Sequence, residues 1–251
     1  MYRTPIQTHA ANDPRSCGPA WHERAALQQG AWFRALPAQA QEAMLAQTTL
    51  HVVPAGQPFG RHGIARNDWF AVTRGSVRLS AVFVSGKAFT LSFIGPGEWF
   101  GELSAADDLP DIVEAVAQTD CAVLVIRSAS MKRLVSQHPV LLQALLQMSY
   151  ARLAELERVM EELQTLPLAA RLARKIVWLM QRQNGASHLR LSQDEWADLV
   201  VASRSRVNLV LRSMEREGVL HLERRALSVL SLPRLRELAL LDLARRPRAV
   251  A

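Results

Sequence analysis

Between residues 51 and 127, short apolar runs alternate with glycine and turn residues: HVVPAGQPF (51–59), DWFAVTRGSVRLSAVFV (68–84), KAFTLSFIGPGEWFGEL (87–103) and CAVLVI (121–126). Such runs with glycine at the breaks predict an antiparallel β sandwich or roll. VSGK (84–87) predicts a hairpin turn between two of its strands. Before it, residues 23–50 predict short helices around Pro37.

From His138 the apolar period becomes helical, and Pro139 suits a first helical turn. Leu146, Ser149, Leu153, Leu156, Met160 and Leu163 recur at spacings of 3, 4, 3, 4 and 3, a heptad seam. A core-facing helix shows a similar stripe. The opposite face carries Arg152, Glu155, Arg158, Glu161 and Glu162, which fits a long, partly exposed helix and favours a dimer seam. Pro167 breaks the run, and LAARLARKIVWLMQRQ (168–183) predicts another helix, stopped near Asn184-Gly185.

Ser192 followed three residues later by Glu195 is a capping box, so a helix starts there with Ala197, Leu199 and Val200 on its apolar side. Ser203 caps a second helix after a short turn, with Val207, Val210, Leu211 and Met214 as its buried stripe. Any packed helix pair shows that much; the outward face distinguishes a helix-turn-helix. At about 100° per residue, Ser205, Leu209, Arg212 and Arg216 point away from the stripe, with Arg204, Arg206, Asn208 and Ser213 flanking it. Cations and amides on one face can reach phosphates and base edges. The first acid on this helix is Glu215, near its end. VLHLERRALSVLSL (219–232) then predicts two strands around Arg224 and Arg225, a hairpin wing with cations for the phosphate backbone.

Charge sharpens that picture. The 251 residues carry a net +7, but residues 1–164 hold 14 Lys/Arg against 15 Asp/Glu, whereas residues 165–251 hold 16 against 8. The excess lies in the last third, as expected of a nucleic-acid-binding domain joined to a neutral one. Two cysteines, Cys17 and Cys121, supply neither a disulfide framework, a zinc set nor an iron–sulfur set. The N-terminus lacks a signal-peptide apolar region and no run of 18 apolar residues occurs, so the expectation is a cytoplasmic chain with no membrane span.

Over residues 26–238 the sequence resembles the Crp–Fnr family of bacterial transcription regulators, whose catabolite activator is a standard helix-turn-helix example. GQPFGRHG (56–63), TRGSVRLS (73–80), GPGEWFGEL (95–103), HPVLLQALL (138–146) and SRSRVNLVLRSMEREGVL (203–220) carry the resemblance in the family's order and spacing. It implies an α+β chain. An N-terminal antiparallel β-roll sensor, jelly-roll-like and of the cyclic-nucleotide-binding type, would occupy 26–137 after a tail at 1–25. A dimerisation helix would follow at 138–164, and a C-terminal winged helix-turn-helix at 165–251. Double-stranded DNA and a second copy of the chain are the implied partners, with RNA polymerase a further candidate. The implied DNA-contacting residues are Ser192, Ser203, Arg204, Ser205, Arg206, Asn208, Leu209, Arg212, Arg224 and Arg225.

The departures bear on mechanism. In the cassette, Gly101, Glu102 and Leu103 match, but the family's cyclic-phosphate Arg-Ser pair falls on Asp111 and Ile112. A carboxylate there reverses the sign of the phosphate contact. Residues 98–114 contain six acids and no Lys or Arg. The adenine-contacting Thr-Ser pair falls on Leu156 and Glu157. Cyclic AMP is therefore not expected, and Glu102 reads as a structural or surface acid. An iron–sulfur cluster lacks its cysteines, and haem has only the lone His51 and His62, so the residues name no effector. In the reader, Val201 stands where the turn usually has glycine, and of the family's Arg-Glu-x-x-x-Arg triple only Arg204 survives, with Ser205 and Leu209 at the other places.

An enzyme is the first rival. No G-x-S-x-G, H-E-x-x-H or dinucleotide fingerprint occurs, and AVFVSGKA (81–88) fails the phosphate-loop pattern at both its first glycine and its final hydroxyl. The second rival is a sensor or interaction module whose winged helix no longer reads DNA.

Overall fold

The computed structural model describes residues 19–59, 68–82, 88–102, 113–183 and 185–240. The VSGK turn, Cys17, His62, Leu103, Asp111 and Ile112 lie outside these residues. The chain is mixed α+β. Three short helices, α1 (Trp21–Leu27), α2 (Ala31–Arg34) and α3 (Ala38–Leu45), precede seven strands: β1 (Thr48–Val53), β2 (Trp69–Arg74), β3 (Val77–Val82), β4 (Ala88–Ile94), β5 (Trp99–Phe100), β6 (Val113–Ala117) and β7 (Cys121–Ile126). Helices α4 (Ser128–Gln137), α5 (Pro139–Thr165) and α6 (Leu168–Arg182) follow. The order then runs β8 (His188–Leu189), α7 (Gln193–Val200), α8 (Arg204–Arg216), β9 (Leu220–Glu223), β10 (Ala226–Val229) and α9 (Leu232–Leu240). The division between two compact units falls inside α5, at Leu153–Ala154.

The first unit holds a four-stranded sheet, β1-β7-β2-β5, and a three-stranded sheet, β4-β3-β6, with antiparallel pairing. Strand alternation divides its apolar residues between two cores. Phe70, Val72, Cys121, Val123 and Val125 share one core with Val77, Leu79, Ile94 and Phe100. Trp69, Ala71, Leu124 and Ile126 turn to the other, with Leu27, Phe33, Met44, Met131, Leu134 and Leu141 from the helices. The unbroken CAVLVI run is thus a strand buried on both faces. Trp32 Nε1 donates to the Ala144 carbonyl at 2.8 Å, fastening α2 to α5.

Two helices have no counterpart in the sequence reading. The stretch forming α4 buries only Met131 and Leu134, too short a stripe to announce itself. Its N-terminus is held by a distant residue: buried Asp68 accepts from Ser128 N and from Arg127 Nη1, both at 3.1 Å. Helix α9 buries only Leu235 and packs on α6.

Part of the charged side of helix α5 is engaged by its own chain: Arg152 pairs with Glu102, Glu162 accepts from Arg174 at 3.1 Å and neighbouring Val159 is buried, whereas Arg158 and Glu161 are exposed. The apolar seam is the open face, with Leu146 63%, Leu153 53% and Met160 59% exposed. Periodicity separates two faces of a helix but does not say which one the chain itself covers.

Candidate DNA-reading surface and effector site

In the second unit, α6 buries Leu168, Leu172, Ile176 and Leu179 and packs against α7 and α8. The capping box starts α7: Ser192 Oγ accepts from Glu195 N at 3.3 Å, and Glu195 Oε2 accepts from Ser192 N at 2.7 Å. Trp196, Ala197, Leu199 and Val200 are buried, as are Val207, Leu211 and Met214 of α8. Val210 is only half-buried, at the margin of the stripe assigned to it. Ser203 caps α8, its Oγ accepting from Arg206 N at 3.4 Å.

Between the helices, Val201 takes the left-handed conformation, φ 51° and ψ 57°. The backbone thus has the shape a glycine would give it, imposed here on a β-branched residue. Ala202 N donates back to Ala197 O at 3.1 Å, the wider bond of a helix ending in a left-handed residue.

The outward face of α8 exposes Arg204, Ser205, Arg206, Leu209, Arg212 and Arg216, with Asn208 and Ser213 half-buried beside them. Glu215 points elsewhere. Its Oε1 accepts from Leu222 N of β9 at 2.8 Å and lies 3.3 Å from His221 Nδ1, so it anchors the wing. Two acids approach this face: Glu217 Oε1 accepts from Ser213 Oγ at 3.1 Å, and Asp194 on α7 lies 3.6 Å from Arg204 Nη1. Arg204 and Asp194 are both more than 60% exposed, so their contact is weak.

The wing is a two-residue hairpin. Glu223 pairs with Ala226, and Arg224–Arg225 form the tip, both exposed. Arg225 has φ 60°, a conformation that favours glycine or asparagine. A bulky cation is kept where a glycine would be easier.

In the first unit, Gly101 has φ 105°, and a Cβ there would lie 2.4 Å from the Asp68 carbonyl oxygen, so only glycine fits. It delivers Glu102 inward. The Glu102 side chain is 3% exposed and pairs with Arg152 of α5, whose Nη2 also donates to Trp99 O at 2.7 Å. Burial pushes the Glu102 carboxyl above the usual carboxylate range, with Arg152 pulling it part of the way back. Glu102 is thus a buried, paired acid, and its partner was assigned by sequence to an exposed face. No local pattern marks a partner fifty residues away. Of the other effector-site candidates, Leu156 and Glu157 are exposed on α5.

His51 is half-buried on β1, bonded to Thr49 Oγ1 at 3.1 Å, and burial lowers its pKa. Cys121 is fully buried, its Sγ 3.2 Å from both Ser76 O and Thr119 O, and burial raises its pKa. Among the described residues, no three of His, Cys, Asp and Glu gather to hold a metal ion, and no helix is long and apolar enough to cross a membrane.

A β-roll, a long helix with an open apolar seam and a winged helix-turn-helix define a DNA-binding regulator. The comparisons agree. Residues 50–138 match the cyclic nucleotide-binding domain family, and residues 170–238 match the Crp-like helix-turn-helix domain family. Transcriptional regulator SdrP of Thermus thermophilus is 32% identical over 179 residues, covering 69% of this chain and 85% of that protein. The cyclic AMP receptor protein of the same organism is 28% identical over 190 residues, 76% of this chain and 88% of that one. A solved CRP/FNR-family transcriptional regulator, also from Thermus thermophilus, superposes with a TM-score of 0.64 at 30% identity, over 76% of this chain and 98% of its own. This chain belongs to the Crp/Fnr family, a family of transcription regulators and not of enzymes.

Proposed function

We propose that the chain acts in the cytoplasm as a homodimer on a pseudo-palindromic DNA site. Residues 26–137 form its sensor, 138–164 its dimer helix and 165–251 its DNA reader. Arg204, Ser205, Arg206, Asn208, Leu209 and Arg212 face the major groove. Ser192 and Ser203 stand at the helix starts nearest the backbone, and Arg224 and Arg225 lie along it. The observation that carries this reading is the outward face of α8, where cations and Leu209 stand open while Glu215 is turned into β9. Leu209 is 67% exposed, an apolar group suited to a thymine methyl. The seam of α5 supports the dimer: Leu146, Ser149, Leu153, Leu156, Met160 and Leu163 follow one another on its open side, and large apolar side chains in such a row seek a partner.

The β-roll has an unidentified effector or none, and cyclic AMP is not the expected ligand. Asp111 falls where the resemblance puts a phosphate-binding guanidinium, and Glu102, which matches the cassette, is committed to Arg152. Footprinting the full-length protein on genomic DNA tests the reading without an effector in hand. Protected sites with two inverted half-sites about one helical turn apart are expected. Uniform, sequence-independent protection would remove the reading role from α8.

A further inference from the structure

A guanidinium and two amides join the start of α7 to the first turns of α8. Arg204 Nε donates to Gln193 Oε1 at 3.3 Å, and Gln193 Nε2 donates to Asn208 Oδ1 at 2.8 Å. The direction of this relay is fixed by chemistry. A guanidinium has donors only, so it requires the oxygen of Gln193. Gln193 is then left with its NH2, which requires the oxygen of Asn208. The edge that Asn208 has left to offer is its Nδ2–H2, a donor edge. An isolated asparagine amide turns over at little cost. This one turns only if Gln193 turns, and Gln193 is held by Arg204.

Asn208 follows Arg204 by four residues, about 40° around the helix, on the flank of α8 nearest α7. It is half-buried, as is Gln193, while Arg204 is exposed. Asp194 also approaches Arg204, but at Nη1 and not at the Nε that sets the relay.

We propose that Gln193 and Asn208 determine specificity at one base position of each half-site, an inference that rests on α8 being the reading helix. Asn208 does the reading. Gln193 is a positioning residue that fixes which edge Asn208 presents. A donor edge matches guanine (O6, N7) and thymine (O4) and is opposed by the amino group of cytosine, while adenine offers it N7 alone beside an opposing amino group. A free asparagine pairs with adenine through its oxygen and nitrogen together; here Gln193 fixes the amide and takes one of that oxygen's two acceptor positions, which weakens this pairing.

The test is selection from randomised duplexes by full-length wild type, Asn208→Asp, Gln193→Glu and Arg204→Ala, read as base preference at every position. Asn208→Asp still accepts from Gln193 but puts an oxygen where donors stood. Gln193→Glu still accepts from Arg204 but donates nothing, so Asn208 turns its amide to bond the new carboxylate and presents Oδ1. Both variants should move the preference at the same position from guanine or thymine to cytosine or adenine, with the ratio changing about tenfold. The guanine assigned to Arg204 should stay in both. A merely structural role for Gln193 would lower affinity evenly and leave every preference in place.

Unchanged preferences in both variants, or shifts at two different positions, overturn the relay. If Arg204→Ala still relaxes one guanine in that case, α8 remains the reading helix. If no variant changes any preference, Arg204→Ala included, the reading role of α8 falls with it. The substitutions are near-isosteric at partly exposed positions, and equal thermal midpoints would establish an intact fold. Should the added charge of Gln193→Glu abolish binding, Asn208→Asp alone decides.

Discussion

Arg171 donates from Nη1 to the Val200 carbonyl at 2.8 Å, at the point where the next residue, Val201, enters the left-handed region. A helix ends with carbonyls lacking partners, and here α6 supplies a cation to one of them. That bond and the Ala202–Ala197 bond hold a β-branched residue in a conformation that costs an L-residue about 1–2 kcal/mol. Replacing Val201 by glycine should raise stability by about 1 kcal/mol, somewhat less than the strain because glycine frees the unfolded chain. The valine is 44% exposed, so little burial is lost. Urea titration of both proteins measures the difference. A lower midpoint for Val201→Gly would show that the turn carries no strain worth relieving.

Glu102 gives a pH signature. Its carboxyl is raised from the ordinary value of 4.5, chiefly by burial. A carboxyl raised in the folded state favours folding when protonated, so its contribution is present at low pH and is lost as pH climbs through the folded value. Glu102→Gln removes that titration. Wild type should therefore lose stability relative to Glu102→Gln as pH rises above 4.5, and parallel curves would contradict the sign. At neutral pH, Arg152→Met should cost about 3 kcal/mol or more, since it strands a buried carboxylate.

Alternation and capping were legible in the chain because they are local. The runs of β2 and β7, the Ser192–Glu195 box and the stripe of α8 each need only a few neighbours, and all appear in the structure. The site itself was half legible. The outward residues of α8 follow from helical geometry, but the Gln193 relay needs two helices in contact and the Arg152–Glu102 pair needs a contact across fifty residues. Arg152 was misplaced as well: four residues before Leu156, it lies about 40° from it and flanks the seam, and only the tertiary contact gives it to Glu102. Glu215 shows in the sequence only as the first acid of α8, and its donor on β9 is a tertiary contact.

The α5 seam should hold the dimer. Leu153 and Met160 are 53% and 59% exposed in the single chain, so changing both to Glu leaves the monomer core intact. In a dimer each burial contributes about 1.5–3 kcal/mol, and two carboxylates against their own copies add repulsion. Sedimentation velocity should report monomers for the double variant and dimers for wild type. A double variant that stays dimeric would move the interface off this helix.

Calorimetry with cyclic AMP should detect no tight binding. The acids at 98–114 oppose a cyclic phosphate, and the sequence puts Asp111 where an arginine would meet it. Micromolar affinity would mean that another cation takes the phosphate. Arg78 on β3, whose Nε is buried without a partner, would be the first to replace by alanine.

Arg204 and the wing arginines should fail in different ways. Arg204 opens the reading helix, where a guanidinium can span O6 and N7 of guanine. Losing that pair costs about 1–3 kcal/mol and relaxes specificity at its guanine, and, by releasing Gln193, at the base that Asn208 reads. Its Nε bond to Gln193 leaves the two Nη groups for the base, and the exposed Asp194 contact is too weak to compete. Arg224 and Arg225 project from a hairpin tip, where phosphates are nearer than base edges, and Arg225 keeps its place against an unfavourable φ of 60°. Their joint loss should weaken binding to all sequences alike. It should also flatten the dependence of log K on log salt by about one unit for every phosphate no longer neutralised. Titrations of Arg204→Ala and of Arg224→Ala/Arg225→Ala, on two operator variants over several salt concentrations, separate these outcomes. Equal weakening of both operators by Arg204→Ala would make it a phosphate contact. No change in either protein would leave all three as solvated arginines and take this face of the domain off the DNA.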